Sequence, residues 1–226
     1  MAAIEMIHTS SLIHDDLPCM DNDQYRRGKP STWAKFGEDL GVLAGDALIV
    51  EAFAVAATAF ETTKYPDRVG KAMGILARKT GIYGMIGGQV VDVQLTNKPI
   101  SKEELDFIYR LKTGALLEAS MMIGAVLSGA DEERLKLVSK IALNVGTAFQ
   151  IQDDILDVTS SQEVLGKPVG SDEKNCKTTY VSLEGLPNAR EEVKRLSDEA
   201  VLLLRSMGSE NEFLEQLICV LVTREK

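Results

Sequence analysis

Two clusters of aspartate are the residues of this chain best able to do chemistry. One is Asp153-Asp154-Ile155-Leu156-Asp157. Residues four apart on a helix are rotated by only about 40°, so Asp153 and Asp157 share a face. That face continues the row Val145, Phe149 of an apolar stripe. Carboxylates on a core-facing row are costly unless paired or metal-bound. A solvated acidic helix end is the plainer alternative, and the inward direction of the row weighs against it. The other cluster is Asp15-Asp16-Leu17-Pro18-Cys19-Met20-Asp21. Its last aspartate lies six residues beyond the first, about 240° around an ideal helix. Pro18 lacks a backbone donor and disfavours helix at Leu17. The helix is therefore expected to end or bulge here and to turn Asp21 back, the alternative being a simple polar helix terminus. Hard carboxylate oxygens converging in a cavity suit Mg²⁺, whose shell is completed by water and substrate phosphate. The expected ligand is a phosphate or diphosphate bridged to the aspartates through metal.

The cations fit that chemistry. Arg26-Arg27-Gly28-Lys29 follows the first cluster in a loop, and guanidinium forks bind phosphate oxygens in pairs. By itself this stretch reads more readily as a solvated basic loop. Lys112 interrupts the apolar row Leu105, Ile108, Ala115, Ala119, Met122, where a lysine either snorkels or faces a polar cavity. Lys167 and Lys177 follow the second cluster and carry little weight alone. Gln89 and Asp92 come after Gly84, Gly87 and Gly88, a pattern that fits either close helix packing beside a polar cavity or a loose helix end. His8 and His14 have no Glu-x-x-His partner, so a di-iron carboxylate bundle lacks its ligands.

These groups must be held by helices. Proline-free stretches with helical periodicity fill most of the chain. Ser101-Lys-Glu-Glu104 is a capping box opening a helix to about Gly129, and Asp131 starts another to about Asp157. Ser209 and Glu212 repeat the box before Phe213–Thr223, and residues 40–62 and 67–95 read as two further helices. Val90-Val91-Asp92-Val93 is too short to outweigh the helical pattern around it. The expected fold is one all-α domain over residues 1–226. The helical pattern starts at Met1 without a cap, which points to a missing N-terminal portion.

Composition narrows the classes. Of 226 residues, 45% are hydrophobic and 26% charged, enough for a sizeable core. Lys+Arg total 25 against Asp+Glu 34, a net charge of −9, which leaves no general electrostatic footprint for nucleic acid or an anionic membrane. Aromatics at 5% leave little stacking surface for single strands. Three cysteines are too few for a disulfide framework or a zinc site. No apolar run of span length and no signal peptide is evident, so a cytoplasmic protein without stable membrane insertion is expected.

The motifs together resemble the trans-prenyltransferases of the polyprenyl synthetase family. His14 through Asp21, trailed by Arg26-Arg27-Gly28-Lys29-Pro30, resembles the family's first aspartate-rich motif, with the spacing of its short-chain farnesyl and geranylgeranyl diphosphate synthases. Phe149 through Asp157 resembles the second. Gly88-Gln89 with Asp92, Lys112-Thr113, Gly166-Lys167 and Asp172 through Lys177-Thr178-Thr179-Tyr180 match smaller motifs in order.

The resemblance implies an all-α bundle around a deep cavity, usually a homodimer. It implies head-to-tail condensation of isopentenyl diphosphate with an allylic diphosphate (dimethylallyl, geranyl or farnesyl). Asp15, Asp16, Asp21 and Asp153, with Asp154 or Asp157 directly or through water, would hold on the order of three Mg²⁺. Arg26, Lys112 and Lys167 would support the same diphosphate, with Lys177 nearby. Arg27 would belong to the isopentenyl diphosphate site, and Gln150 and Thr113 would line the reacting region. Ser10 and Ser11 lie about one turn before Asp15; farnesyl synthases of this type usually place a bulky aromatic at the position of Ser10, so a serine implies growth to twenty carbons. The family's upstream Gly-Gly-Lys-Arg motif has no counterpart in residues 1–14. Two other readings stand beside this one: a related squalene-synthase-like or terpene-cyclising enzyme, and a non-catalytic or truncated partner subunit of a full-length synthase.

Overall fold

Proline and glycine decide where the helices stop. The computed structural model describes residues 1–160, 178–208 and 211–224. The fold is all-α, among the described residues apart from one two-stranded hairpin, and the chain falls into two compact units, Met1–Leu76 and Ala77–Lys226.

In the first unit, α1 (Ala2–Asp15) packs along α3 (Glu38–Ala57). Two glycines let them approach. A Cβ on Gly45 would lie 2.1 Å from His14 Nε2, and one on Gly41 would lie 3.0 Å from Leu17 Cδ2. Ile7, Leu17 and Ala52 are buried. Between the two helices run β1 (Tyr25–Arg26), β2 (Lys29–Pro30) and the short α2 (Thr32–Phe36). The hairpin is absent from the sequence reading, which places these residues in a loop. Its signal is the pair Arg27 and Gly28, with φ of 53° and 74°, the left-handed pair that a two-residue turn between right-twisted strands requires.

The expected helix over 40–62 breaks at Thr58, whose hydroxyl donates to Val55 C=O at 2.8 Å, and resumes as α4 (Ala59–Thr62). The expected helix over 67–95 is two helices, α5 (Pro66–Thr80) and α6 (Met85–Leu95). The break needs glycine: a Cβ on Gly84 would lie 1.9 Å from Lys79 O.

The second unit is a helical bundle. The Ser101 capping box is present, with Ser101 N–H donating to Glu104 Oε2 at 2.7 Å and Glu104 N–H donating to Ser101 Oγ at 3.2 Å. It opens α7 (Lys102–Ile108), which passes through one π-helical turn, Tyr109–Thr113, into α8 (Gly114–Ser128). Asp131 caps α9 (Glu132–Thr159), the long helix against which α8 and the later helices pack. These are α10 (Tyr180–Glu184), α11 (Leu186–Ser206) and α12 (Glu212–Thr223). The cap of α12 is Asn211, accepting from Leu214 N–H; Ser209 lies outside the described residues. Gly146 lets α9 meet α8, a Cβ there lying 2.8 Å from Gly114 Cα. The core joins Ile108, Tyr109, Ala148, Ile151, Ile155, Tyr180 and Val193.

One sequence expectation needs correcting. Glu38–Thr62 and Lys102–Ser128 are, by length and composition, long and apolar enough to cross a membrane. They escape a search for unbroken apolar runs because Asp46 and Glu51 interrupt the first and Lys112 and Glu118 the second. Charges at such depths are costly in a bilayer, and Glu118 is ion-paired with Lys79.

Candidate functional site

In the first unit the site is built at the end of α1. The α1 carbonyls lose their next donors at Pro18, and the returning chain supplies others. Asp21 N–H donates to Asp15 C=O at 2.9 Å, Asp23 N–H to Asp16 C=O at 3.1 Å, and Asn22 N–H to Leu17 C=O at 3.1 Å. The turn at Pro18 thus carries Asp21 back beside Asp15, and Asn22 takes the left-handed conformation this needs (φ 55°). Four aspartates gather at the negative pole of the helix dipole, where a cation is favoured.

Arg26 is one such cation. Its guanidinium donates through Nε (3.0 Å) and Nη2 to Oδ1 of the buried Asp16, and Asp23 Oδ2 lies 3.5 Å from Nη2. Burial opposes its charge, but the hydrogen bond and charge of Asp16, with Asp23 and Asp15 adding, hold it more firmly protonated than an ordinary arginine. Ser31 Oγ and Trp33 Nε1 both donate to Asp23 C=O, at 2.7 and 2.9 Å, and pin the base of the hairpin. Arg27 is exposed at its tip. Ser10 is buried and donates to Ile7 C=O at 2.7 Å, so its hydroxyl is satisfied within its own helix; Ser11 does the same to His8 at 2.9 Å.

In the second unit a cleft of roughly 110 Å³ is lined by Asp92, Thr96, Tyr109, Lys112, Thr113, Gln150 and Asp154, among others. The π turn is what presents Lys112 there. It inserts a residue between the apolar pairs Leu105, Ile108 and Ala115, Ala119, slipping the helix phase by about 100°. Lys112 Nζ then lies 2.6 Å from Asp92 Oδ2 on α6. The two helices can approach because residue 88 is glycine: a Cβ there would lie 2.4 Å from Lys112 N. Thr113 Oγ1 donates to Gln150 Oε1 at 2.8 Å. Gln89 is half-buried on α6 and does not line this cleft.

The second aspartate cluster divides by burial. Asp154 is buried, and its Oδ2 accepts from Tyr109 O–H and, at 2.8 Å, from Tyr180 N–H. Asp157 is buried as well. The Asp153 side chain is 38% exposed and pairs with Arg224. Lys167 and Lys177 lie outside the described residues. Sequence reasoning missed Tyr109 and Arg224 as partners of the aspartates, since each is 45 or 71 residues away with no local signal. It also missed the buried Glu118, held between Lys79 and Ser139.

Among the described residues no three acidic, histidine or cysteine side chains converge on one point as metal ligands. Mg²⁺ asks less, taking one or two carboxylates and leaving the rest of its shell to water and phosphate. Asp15 and Asp21, joined through their backbones and both partly exposed, and the accessible Asp153 are hard oxygen donors of that kind. Taken unit by unit, each set therefore offers donors of the kind the ion takes.

Comparison with known proteins agrees with this chemistry. The model of the polyprenyl synthetase family matches residues 1–215. The chain is 48% identical over 202 residues to the heterodimeric geranylgeranyl pyrophosphate synthase large subunit 1 of Arabidopsis thaliana, covering 88% of this chain and 54% of that protein. It is 47% identical over 200 residues to a geranylgeranyl diphosphate synthase of Cyanophora paradoxa, covering 88% and 66%. It spans little more than half the length of the first of these relatives. Among solved structures it superimposes on the geranyltransferase of Helicobacter pylori complexed with magnesium and isoprenyl diphosphate. The TM-score is 0.85 at 38% identity, over 97% of this chain and 71% of that one.

Proposed function

The chain belongs to the polyprenyl synthetase family, and from that premise we propose that it is a trans-prenyltransferase joining isopentenyl diphosphate head-to-tail to an allylic diphosphate. The product is farnesyl or geranylgeranyl diphosphate. The family match runs across both compact units, which supports reading residues 1–226 as one domain of the isoprenoid synthase type. The observation that carries the reading is the end of α1, where Pro18 turns Asp21 back onto Asp15 beside the Asp16–Arg26 pair.

Magnesium, when bound, neutralises the charge that develops on the departing diphosphate. In the first unit Asp15, Asp16 and Asp21 would hold such ions, and in the second Asp153 would, with Asp154 or Asp157 contributing directly or through water; the geranyltransferase of Helicobacter pylori, complexed with magnesium, supports that choice of ion. Asp154 is the least accessible of these, being engaged by two tyrosines. Arg26, Lys112, Lys167 and Lys177 bind diphosphate oxygens, and Arg27 at the hairpin tip binds isopentenyl diphosphate. Thr113 and Gln150, already hydrogen-bonded to each other, present a fixed polar pair to the reacting carbons. The proton lost at the end passes to the released diphosphate, so His8 and His14 need no acid–base part.

A dimer is part of the reading. The apolar face of α3 is exposed, with Leu43 at 62% and Val50 at 70%, and a second copy would cover it. The same face supports a second reading, in which this chain is the partner subunit of a full-length synthase; one relative is named as a heterodimer subunit. Radiolabelled isopentenyl diphosphate with dimethylallyl, geranyl or farnesyl diphosphate, with Mg²⁺ and with chelator, tests the first reading. Metal-dependent prenyl products support it. No product alone, but altered products on mixing with a full-length homologue, would favour the subunit reading.

A further inference from the structure

Arg224, just past the last turn of α12, comes back onto α9 across 71 residues of chain and meets the second aspartate cluster there. Three contacts hold it. Nη2 pairs with Asp153 Oδ1; the guanidinium carbon sits 3.7 Å from the centroid of the Phe149 ring; and Gln152 Nε2 donates to the Arg224 C=O at 3.2 Å. Phe149 and Asp153 are one helical turn apart on α9, so a single planar cation covers ring and carboxylate together. The Arg224 side chain is only 21% exposed, so this is a built contact and not a solvated surface pair.

We propose that Arg224 is a resident cation on the second aspartate cluster, and that it competes with the divalent ion for the Asp153 carboxylate. The inference rests on the reading of Asp153 as a metal ligand. A guanidinium and a divalent ion on one carboxylate repel each other at contact distance. Loading of metal at Asp153 therefore requires the guanidinium to leave. The bond from Gln152 goes to the Arg224 backbone carbonyl and does not involve the guanidinium, so it survives that exchange; the α12 end stays docked while the Arg224 side chain leaves both Phe149 and the carboxylate. The metal's apparent affinity is lowered by the strength of the pair it displaces.

The test is a titration of Mn²⁺ alone, as a stand-in for Mg²⁺, followed by the electron paramagnetic resonance signal of the free ion. Arg224→Gln should bind Mn²⁺ roughly two- to fivefold more tightly than the natural sequence, the range expected for losing one partly screened competing pair. Arg224→Lys, which keeps the charge and loses the planar stack, should fall between the two. In an Asp153→Asn background, Arg224→Gln should bring no gain. Mn²⁺ bound equally well, or less well, by Arg224→Gln would overturn the competition while leaving Asp153 a ligand. Mn²⁺ binding unaffected by Asp153→Asn would overturn the metal reading of Asp153 as well. Thermal melts of each variant separate these outcomes from loss of fold, and Arg224→Lys reports on the competition even where Arg224→Gln melts early.

Discussion

Asp21 N–H donates to Asp15 C=O at 2.9 Å, across six residues and a proline. A continuous helix would set these two aspartates on different faces; the turn at Pro18 sets them side by side. Proline is thereby a functional residue without touching anything reactive. Pro18→Ala restores the donor that would let α1 continue, and should swing Asp21 out of the cluster. We expect kcat/KM for condensation to fall about 10- to 100-fold, as small misplacements of positioned groups do, with little change in melting temperature. An unchanged Mg²⁺ dependence in this variant would show that Asp21 does not need its present place.

Arg26→Ala should be costly to stability as well as to activity. It leaves the buried Asp16 carboxylate without its guanidinium. Removing one partner of a buried pair costs about 3–5 kcal/mol, and the exposure of the Arg26 side chain (35%) lowers the expected loss to about 2 kcal/mol. Urea unfolding measures it. Asp16→Asn with Arg26→Ala together should cost less than the sum of the two.

Gly88→Ala tests whether the approach of α6 to the π turn sets Lys112. The added Cβ would meet backbone, 2.4 Å from Lys112 N, so the helices must part and the Lys112–Asp92 pair must lengthen. A stability loss of about 1–3 kcal/mol is expected for such overpacking, accompanied by a rise in KM for the allylic diphosphate. A fall in stability with unchanged KM would separate packing from binding.

Acid should loosen α11. A hydrogen bond from Arg195, partly offset by burial, holds Glu192 below its usual value of 4.5. A lowered carboxyl pKa contributes stability that is complete above the unfolded value and is lost as pH falls through the folded one. The melting temperature should therefore decline below about pH 4.5, and Glu192→Gln should flatten that decline. Glu199 and Glu215 are lowered in the same sense by Lys140 and Arg205.

Ser10→Tyr should shorten the product. Ser10 is 1% exposed and its hydroxyl is satisfied inside α1, so the larger ring must take space from whatever lies beside it. We expect geranylgeranyl diphosphate to give way to farnesyl diphosphate, at about 1–3 kcal/mol of stability. Chromatography of the dephosphorylated products decides it; an unchanged chain length would remove Ser10 from the cavity floor.

Much of this was legible in the order of the residues. The aspartate spacing, the proline between Asp16 and Asp21 and the capping residues Ser101 and Asp131 are local signals. Local signals act through backbone hydrogen bonds a few residues long, and the structure honours them. Chemistry was legible too, because carboxylates and guanidinium groups in repeated proximity restrict what can bind. The sequence misled where a helix is interrupted without losing its periodicity, as at Gly81–Gly84 and at the π turn of Tyr109–Thr113. A π turn changes the phase by one residue and leaves the composition untouched.

What only the tertiary structure decided is how each charged group is spent. It assigned Asp154 to Tyr109 and Tyr180, Asp153 to Arg224, Lys112 to Asp92 and Glu118 to Lys79. Those partners are 20 to 71 residues apart. By itself the sequence determined that the aspartates would be gathered at helix ends and faces, since helix geometry and proline act within a turn or two. Which aspartate stays accessible and which is locked depends on burial. Burial is a property of packed helices, where the cost of an unpaired charge selects its partner from distant parts of the chain.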